Sequence, residues 1–448
     1  MPVSEDWSGR RLHFVGIGGA GMSGLALVAR ALGATVTGSD RAESSYTARL
    51  RQHGIAPRLG HAAENVPAGA EVIYSTAVPP DNPERVAAEG QELHRADLLA
   101  EIAGLRSCLA VTGTHGKTTT AAMVVHALQG AGLDPSYLLG GELRSTGSNA
   151  GWGRGEWIVV EADESDRSLL KIWPRIAVLT NAELDHHSTY ASRLELEETF
   201  AEFMGRAGEA SVVWDRPELR LLCPSGARVY DAPEPELRPD GSRFLWQGLE
   251  VRLSVPGAHN AVNAAGALTA AALAGADPAQ AVAALAGFQG ARRRLERVGE
   301  TDIGVPVYDD YAHHPTEVAA AIAGARTLSP VRLVAVFQPH LYSRTRALAA
   351  GFGLALAGAD LVAVLDVYPA RERAEDFPGV DGRLIAAAAA DAASGGTVAW
   401  LPCFEDARVF LRKALRRGDV CLLMGAGDID ELGRSLTDHR SSASRPSG

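Results

Sequence analysis

Residues 108–120, CLAVTGTHGKTTT, decide the fold. Residues 108–112 form an apolar run of strand character, residues 113–117 a loop bracketed by glycines, and residues 118–129 a helix. A loop in that setting turns backbone N–H groups and the positive end of a helix dipole toward phosphate. Lys117 is placed to reach β- and γ-phosphates, and the Thr118 hydroxyl to meet Mg²⁺. The usual phosphate loop carries a further glycine two residues earlier, where Val111 stands, so this is a shortened form. A chance GKT in a loop is common; one between an apolar strand and a helix is not.

Two acidic segments follow apolar strands downstream. Glu161, Asp163, Glu164 and Asp166 crowd the end of the strand at 157–161. Their mutual repulsion favours a cation there, and Mg²⁺ takes one or two carboxylates beside phosphate oxygens. Thr180-Asn181-Ala182-Glu183-Leu184-Asp185-His186-His187 follows the strand at 176–180, and Asp185 with His186 suits a second metal. Strand C-termini of one parallel sheet open on one crevice.

Upstream, Gly16-Ile17-Gly18-Gly19-Ala20-Gly21 is a full GxGxxG between a strand and the helix at 22–32, and Asp40 lies where a ribose-binding acid would sit. That turn fits NAD and a UDP-sugar equally, since both carry a pyrophosphate and a ribose. Downstream, residues 299–304 are the expected linker into a third unit, with strands at 305–309, 331–337, 361–365 and 420–424. There DDYAHHP, QPHLYSR and VYPARE follow strands and offer His and Arg to a small carboxylate. Residues 231–240 read as a surface loop, and those from Leu436 onward as disordered. The expected fold class is α/β, as three consecutive α/β domains at 1–106, 107–299 and 300–448.

Composition narrows the function. The net charge of -11, from 43 basic and 54 acidic residues, argues against nucleic-acid binding. Lys117, Lys171 and Lys413 are the only lysines among 448 residues, which makes a lysine in a phosphate-loop pattern conspicuous. The four cysteines are too far apart for a zinc knuckle or a redox pair. A polar N-terminus and the lack of an apolar run of about 18 residues predict a cytoplasmic protein with no membrane span.

Together GTHGKTTT, EADESD, TN followed by DH, HNAVN, DDYAHHP, QPH with YxR, and GIGGAGM resemble the Mur ligase family of peptidoglycan synthesis, in its alanine-adding branch. The resemblance implies a Rossmann-like first domain for the UDP-sugar, a central ATPase domain and a third domain that brings the amino acid. The substrates implied are UDP-N-acetylmuramate, L-alanine and ATP with Mg²⁺, and the chain is expected as a monomer or weak homodimer. It assigns Gly113, Thr114, His115, Gly116, Lys117, Thr118 and Thr119 to the ATP phosphates, and Thr118, Glu161 and His186 to metals. It puts Asn260 and Asn263 beside adenine, Arg294 at the phosphates and Asp310 at the ribose. Gly18, Gly19, Ala20, Gly21, Met22, Ser39, Asp40, Ser75 and Thr76 are expected on the UDP-sugar, and His340, Tyr342, Arg344 and Arg371 on alanine. Several relatives carry a carbamylated lysine after the DH motif; no lysine stands between Lys171 and Lys413 here, which agrees with the alanine-adding branch, where that device is commonly absent. Ser188 stands where the family often has aspartate. The implied route is an acyl phosphate, with the third domain closing over it to exclude water. Rival readings are a ligase attaching a whole tripeptide to the same sugar, an NAD-dependent oxidoreductase and an ATP-controlled switch.

Overall fold

The computed structural model describes residues 5–186, 189–393 and 395–438. His187, Ser188 and the tail from His439 lie outside them. Each of the three α/β units is built on its own sheet. Strands buried on both faces need apolar runs, and Ile176–Leu179 and residues 157–160 are such runs, fully or almost fully buried.

The first sheet is parallel, in the order Arg58–Leu59, Thr35–Asp40, Arg11–Val15, Glu71–Tyr74, Glu92–His94. In the second, Ser107–Thr112 is central, between Ile176–Leu179 and Trp157–Glu161. The phosphate loop and both acidic segments therefore leave three adjacent strand ends. Ser136–Leu143 and Ser148–Gly151 extend one side of this sheet, Ala210–Trp214 and Arg228–Tyr230 the other. The phosphate-loop helix Lys117–Gly130 packs on the alanine-rich helix Ala258–Leu273, whose small side chains permit a close approach.

One apolar core joins the first two units. It runs from Trp7, Phe14 and Leu25 through Leu138 and Ala150 to Phe200. Helix Ala20–Ala31 is its keystone, because Gly24 sets the helix against the Ser136–Leu143 ribbon, with room for a Cβ only 3.2 Å from Leu138. The third unit keeps two apolar clusters of its own, made of residues 295 onward.

Residues 299–304 are not the expected linker. Glu296–Glu300 pairs antiparallel with Pro306–Asp310 as the edge of the third sheet, and Gly304, at φ +79°, helps turn the hairpin. The chain crosses between units at Arg292 and Arg293. Arg292 N donates to Glu142 O (2.9 Å), whereas the Arg293 guanidinium donates to Asp309 and to the carbonyls of Gly425 and Gly427. Within the expected loop at 231–240, Glu236–Arg238 is a strand of a small antiparallel sheet. Leu436 and Thr437 close a helix, Ile429–Thr437, in place of the disorder expected from Leu436. No helix among the described residues is long and apolar enough to cross a membrane.

Candidate functional site

Strand Ser107–Thr112 runs into Gly113, which takes φ +129°. A Cβ there would lie 2.1 Å from Thr180 Oγ1, so only glycine lets the loop pass the neighbouring strand end. Gly116, at φ +78°, caps helix Lys117–Gly130 and lies under Asn263, whose Oδ1 would sit 2.8 Å from an added Cβ. Gly113→Ala should cost about 2 kcal/mol or more through clash and strained backbone together. The expected readout is a lower melting temperature with loss of nucleotide binding.

Lys117 Nζ donates to Gly113 O (2.7 Å) and Thr114 O (3.1 Å) and lies 2.9 Å from Glu164 Oε2. Burial alone would lower its pKa, but the carboxylates of Glu164, Asp163 and Glu161 push it above the ordinary lysine value. The Thr118 hydroxyl lies 2.9 and 3.0 Å from the two oxygens of Glu161, and Gly140 N donates to the same carboxylate (2.7 Å). Burial raises the Glu161 carboxyl above the usual range. A hydroxyl and a carboxylate facing a polar cavity are hard oxygen donors of the kind Mg²⁺ takes. His186, at φ +54°, sets Nε2 3.4 Å from Glu164 Oε1, so Glu164 stands between it and Lys117.

Lys117, Thr118, Gly140, Glu161 and His186 line one cavity of about 1150 Å³ on which all three units open. Gly18, Gly19, Ala20 and Gly21 come from the first unit; Thr114, Gly116, Lys117, Thr118, Glu161 and His186 from the second; Arg294, with Arg292 and Arg293, from the third-unit side. Other lining residues were not singled out as ligands from the sequence, among them Arg95, Glu142, Tyr311, His313, Glu317 and Tyr368. DDYAHHP carried a signal for Tyr311 and His313, and VYPARE for Tyr368. Arg95 reaches Asp166 (2.9 Å) and Asp163 (3.5 Å) across the first and second units.

Several expected ligand residues are engaged elsewhere. Met22 is buried in the apolar core. Ser39 Oγ donates to buried Glu84 (2.5 Å). Asp40 Oδ2 accepts from Gly18 N (2.8 Å), so the carboxylate occupies the glycine turn's own donor. Ser75 and Thr76 begin a turn closed by Val78 N to Ser75 O, off the cavity lining. Asn260 Nδ2 donates to Pro256 O (2.7 Å). Asp310 accepts from Leu295 N (2.7 Å) and Ala312 N (2.8 Å) and braces the backbone; burial raises its pKa to about 6. His340 stacks on Tyr368 and Tyr342 on Phe377, while Arg371 is exposed; none of the three lines the cavity.

Arg344 is the largest correction. Its Nε and Nη2 donate to the two oxygens of Asp185 at 3.0 and 3.1 Å, both side chains being almost fully buried. Burial opposes ionisation of Asp185, but Arg344 holds its carboxyl far below the usual range. The pair ties the third unit to the strand end at 180–186. A second tie is His115, with Nδ1 3.3 Å from Glu317 Oε1 and Nε2 3.5 Å from Glu183 Oε2. A third is Thr316 Oγ1 donating to Glu183 (2.5 Å).

Burial disfavours charge on His115, yet Glu183 and Glu317 raise its pKa to about 9. A histidine with a raised folded pKa stabilises fully below its unfolded value of about 6.5 and loses that contribution as pH climbs through the folded value. The His115 contribution to stability should thus fade from about pH 6.5 to about 9, and with it the Glu317 tie to the third unit. Small-angle scattering across that range should show expansion, and Glu317→Gln should flatten the trend.

A phosphate loop and a glycine turn on one cavity, closed by a third α/β unit, are the architecture of an ATP-dependent ligase. Three family models match the chain in series: "Mur ligase family, catalytic domain" at residues 11–106, "Mur ligase middle domain" at 111–271 and "Mur ligase, glutamate ligase domain" at 293–427. The chain belongs to the Mur ligase family. It is 43% identical over 445 residues to the UDP-N-acetylmuramate–L-alanine ligase of Rubrobacter xylanophilus, covering 95% of this chain and 99% of that one. The enzyme of that name from Symbiobacterium thermophilum is 42% identical, covering 95% and 94%. The crystal structure of UDP-N-acetylmuramate–alanine ligase from Thermotoga maritima superposes with a TM-score of 0.82 at 29% identity, covering 97% of this chain and 100% of that one. The oxidoreductase reading of the glycine turn falls away.

Proposed function

We propose that the chain joins L-alanine to the lactyl carboxylate of UDP-N-acetylmuramate at the expense of ATP. One observation carries this reading: the phosphate loop, the acidic strand end and the sugar-nucleotide glycine turn open on the same cavity. The activity named for its relatives supports it.

In this reading Gly18, Gly19, Ala20 and Gly21 hold the UDP end of the sugar nucleotide, and residues 113–119 hold the ATP phosphates. The substrate carboxylate attacks the γ-phosphorus, the bond to the β-phosphate oxygen breaks, and ADP leaves. The alanine amine, as free base, attacks the acyl carbon, and phosphate departs. No enzyme nucleophile takes part, so catalysis is positioning and neutralisation of charge. Lys117 and Arg294 supply fixed positive charge where two anions must meet. Thr118 and Glu161 would hold Mg²⁺, with His186 toward a second ion; the metal, when bound, neutralises phosphate oxygens. Residues from Arg293 onward form the amino-acid unit, and Tyr311 and His313, on the lining beside Arg294, offer that substrate a wall.

Phosphate release from ATP should require both UDP-N-acetylmuramate and L-alanine. Release with either alone, or none with both, defeats the assignment. A faster reaction with an alanine-headed tripeptide than with alanine would move the chain to the recycling ligases.

A further inference from the structure

We propose that His115, Glu183 and His314 form a binding site for one divalent transition-metal ion of the zinc class, separate from the Mg²⁺ donors, that staples the third unit onto the phosphate loop. The ligand atoms of the three side chains lie within 4.8 Å of one another. None of the three is Thr118, Glu161 or His186.

Three observations lead there. First, His115 Nε2 is buried and makes no hydrogen bond; it faces Glu183 Oε2 at 3.5 Å. Donors bound to one tetrahedral zinc at about 2.0–2.2 Å sit about 3.4 Å apart, so this gap is a ligand-to-ligand separation. Second, the other ring nitrogen of His115 lies 3.3 Å from Glu317 Oε1. A carboxylate on the far nitrogen is the usual outer partner of a metal-bound histidine, fixing ring and tautomer. Third, the His314 ring lies 4.5 Å from the His115 ring, with Nδ1 3.8 Å from the same Glu183 oxygen. Burial lowers the His314 pKa to about 4, so the ring is uncharged at neutral pH, and its Nδ1 accepts a long bond from Thr316 N (3.4 Å) that an ion would displace. Two imidazoles and one carboxylate suit a borderline ion and leave positions for water.

Without the ion, a proton does part of its work. His115 faces Glu183, Glu317 and His314, and Glu317 in turn meets His313 and Arg294. The cation between the two carboxylates is then an imidazolium, which the metal must displace. Because His115 comes from the second unit and His314 from the third, the ion opposes opening, and with it product release.

The test uses the full chain in excess Mg²⁺, titrated with Co²⁺ alone as a coloured probe and back-titrated with Zn²⁺. One equivalent should give the visible band of a low-coordinate cobalt site. Its affinity should rise about tenfold per pH unit between pH 6 and pH 8, as the competing proton leaves. Glu317→Gln should weaken binding about 10- to 100-fold, and His314→Gln or Glu183→Gln should remove the band. Zn²⁺ should slow turnover of the parent chain, reversibly on chelation, and slow His314→Gln much less. The proposal fails if the parent chain gives no band. It also fails if the band survives both His314→Gln and Glu183→Gln while Glu161→Gln abolishes it, which would place the probe at the phosphate loop.

Discussion

Lys117→Ala should lower turnover on the order of a thousandfold, the usual cost of losing a preorganised charge at a developing anion. It should leave UDP-N-acetylmuramate affinity almost unchanged, because the glycine turn belongs to another unit. The same change strips Glu164, which is fully buried, of its cation. Breaking a buried pair from one side costs about 3–5 kcal/mol, so the variant should also melt earlier. Lost activity by itself would not separate chemistry from folding. Adding Glu164→Gln makes the distinction, since a neutral amide no longer needs the ammonium. Lys117→Ala/Glu164→Gln should recover most of the melting temperature and none of the turnover. Near-normal turnover in either variant would remove the phosphate loop from the mechanism.

Arg344→Ala should act on docking instead of phosphate chemistry. Its bidentate partner Asp185 lies across the unit boundary and would be left buried and unpaired, again at about 3–5 kcal/mol. At about 1.4 kcal/mol per decade, that is roughly two to three and a half decades in the docked-to-undocked ratio. The ligand-free variant should show a larger radius of gyration and a much lower kcat/KM, with ATP affinity of the second unit retained. Arg344→Lys should rescue little, because an ammonium cannot span both carboxylate oxygens. If scattering from Arg344→Ala matches the parent while kcat/KM collapses, Arg344 contacts substrate, as the motif implied.

The contrast between these two residues shows what the sequence could tell. Lys117 was legible because its partners are local: a strand, two glycines and a helix start within ten residues fix its direction. Arg344 was not, because the carboxylate it serves is 159 residues away and a local reading could only offer the charge to a substrate. Met22 failed for a related reason. Helical spacing shows that a face is apolar, but only the neighbouring sheet decides which face is covered. The supposed linker at 299–304 misled because glycines that turn a hairpin look like glycines that loosen a chain. Its edge strand, Glu296–Glu300, is half polar and only partly buried. The strand ends holding the phosphate loop and both acidic segments were readable together, since parallel sheets bring such ends to one crevice.

The continuous core of the first two units, beside a third unit that keeps its apolar clusters to itself, has a thermal consequence. Such a chain is two cooperative blocks, and a calorimeter should resolve two endotherms in the bare protein, the smaller from residues beyond the crossing at Arg293. A nucleotide and sugar bound across the shared cavity favour the docked form of both blocks, so the peaks should converge as ligand is added.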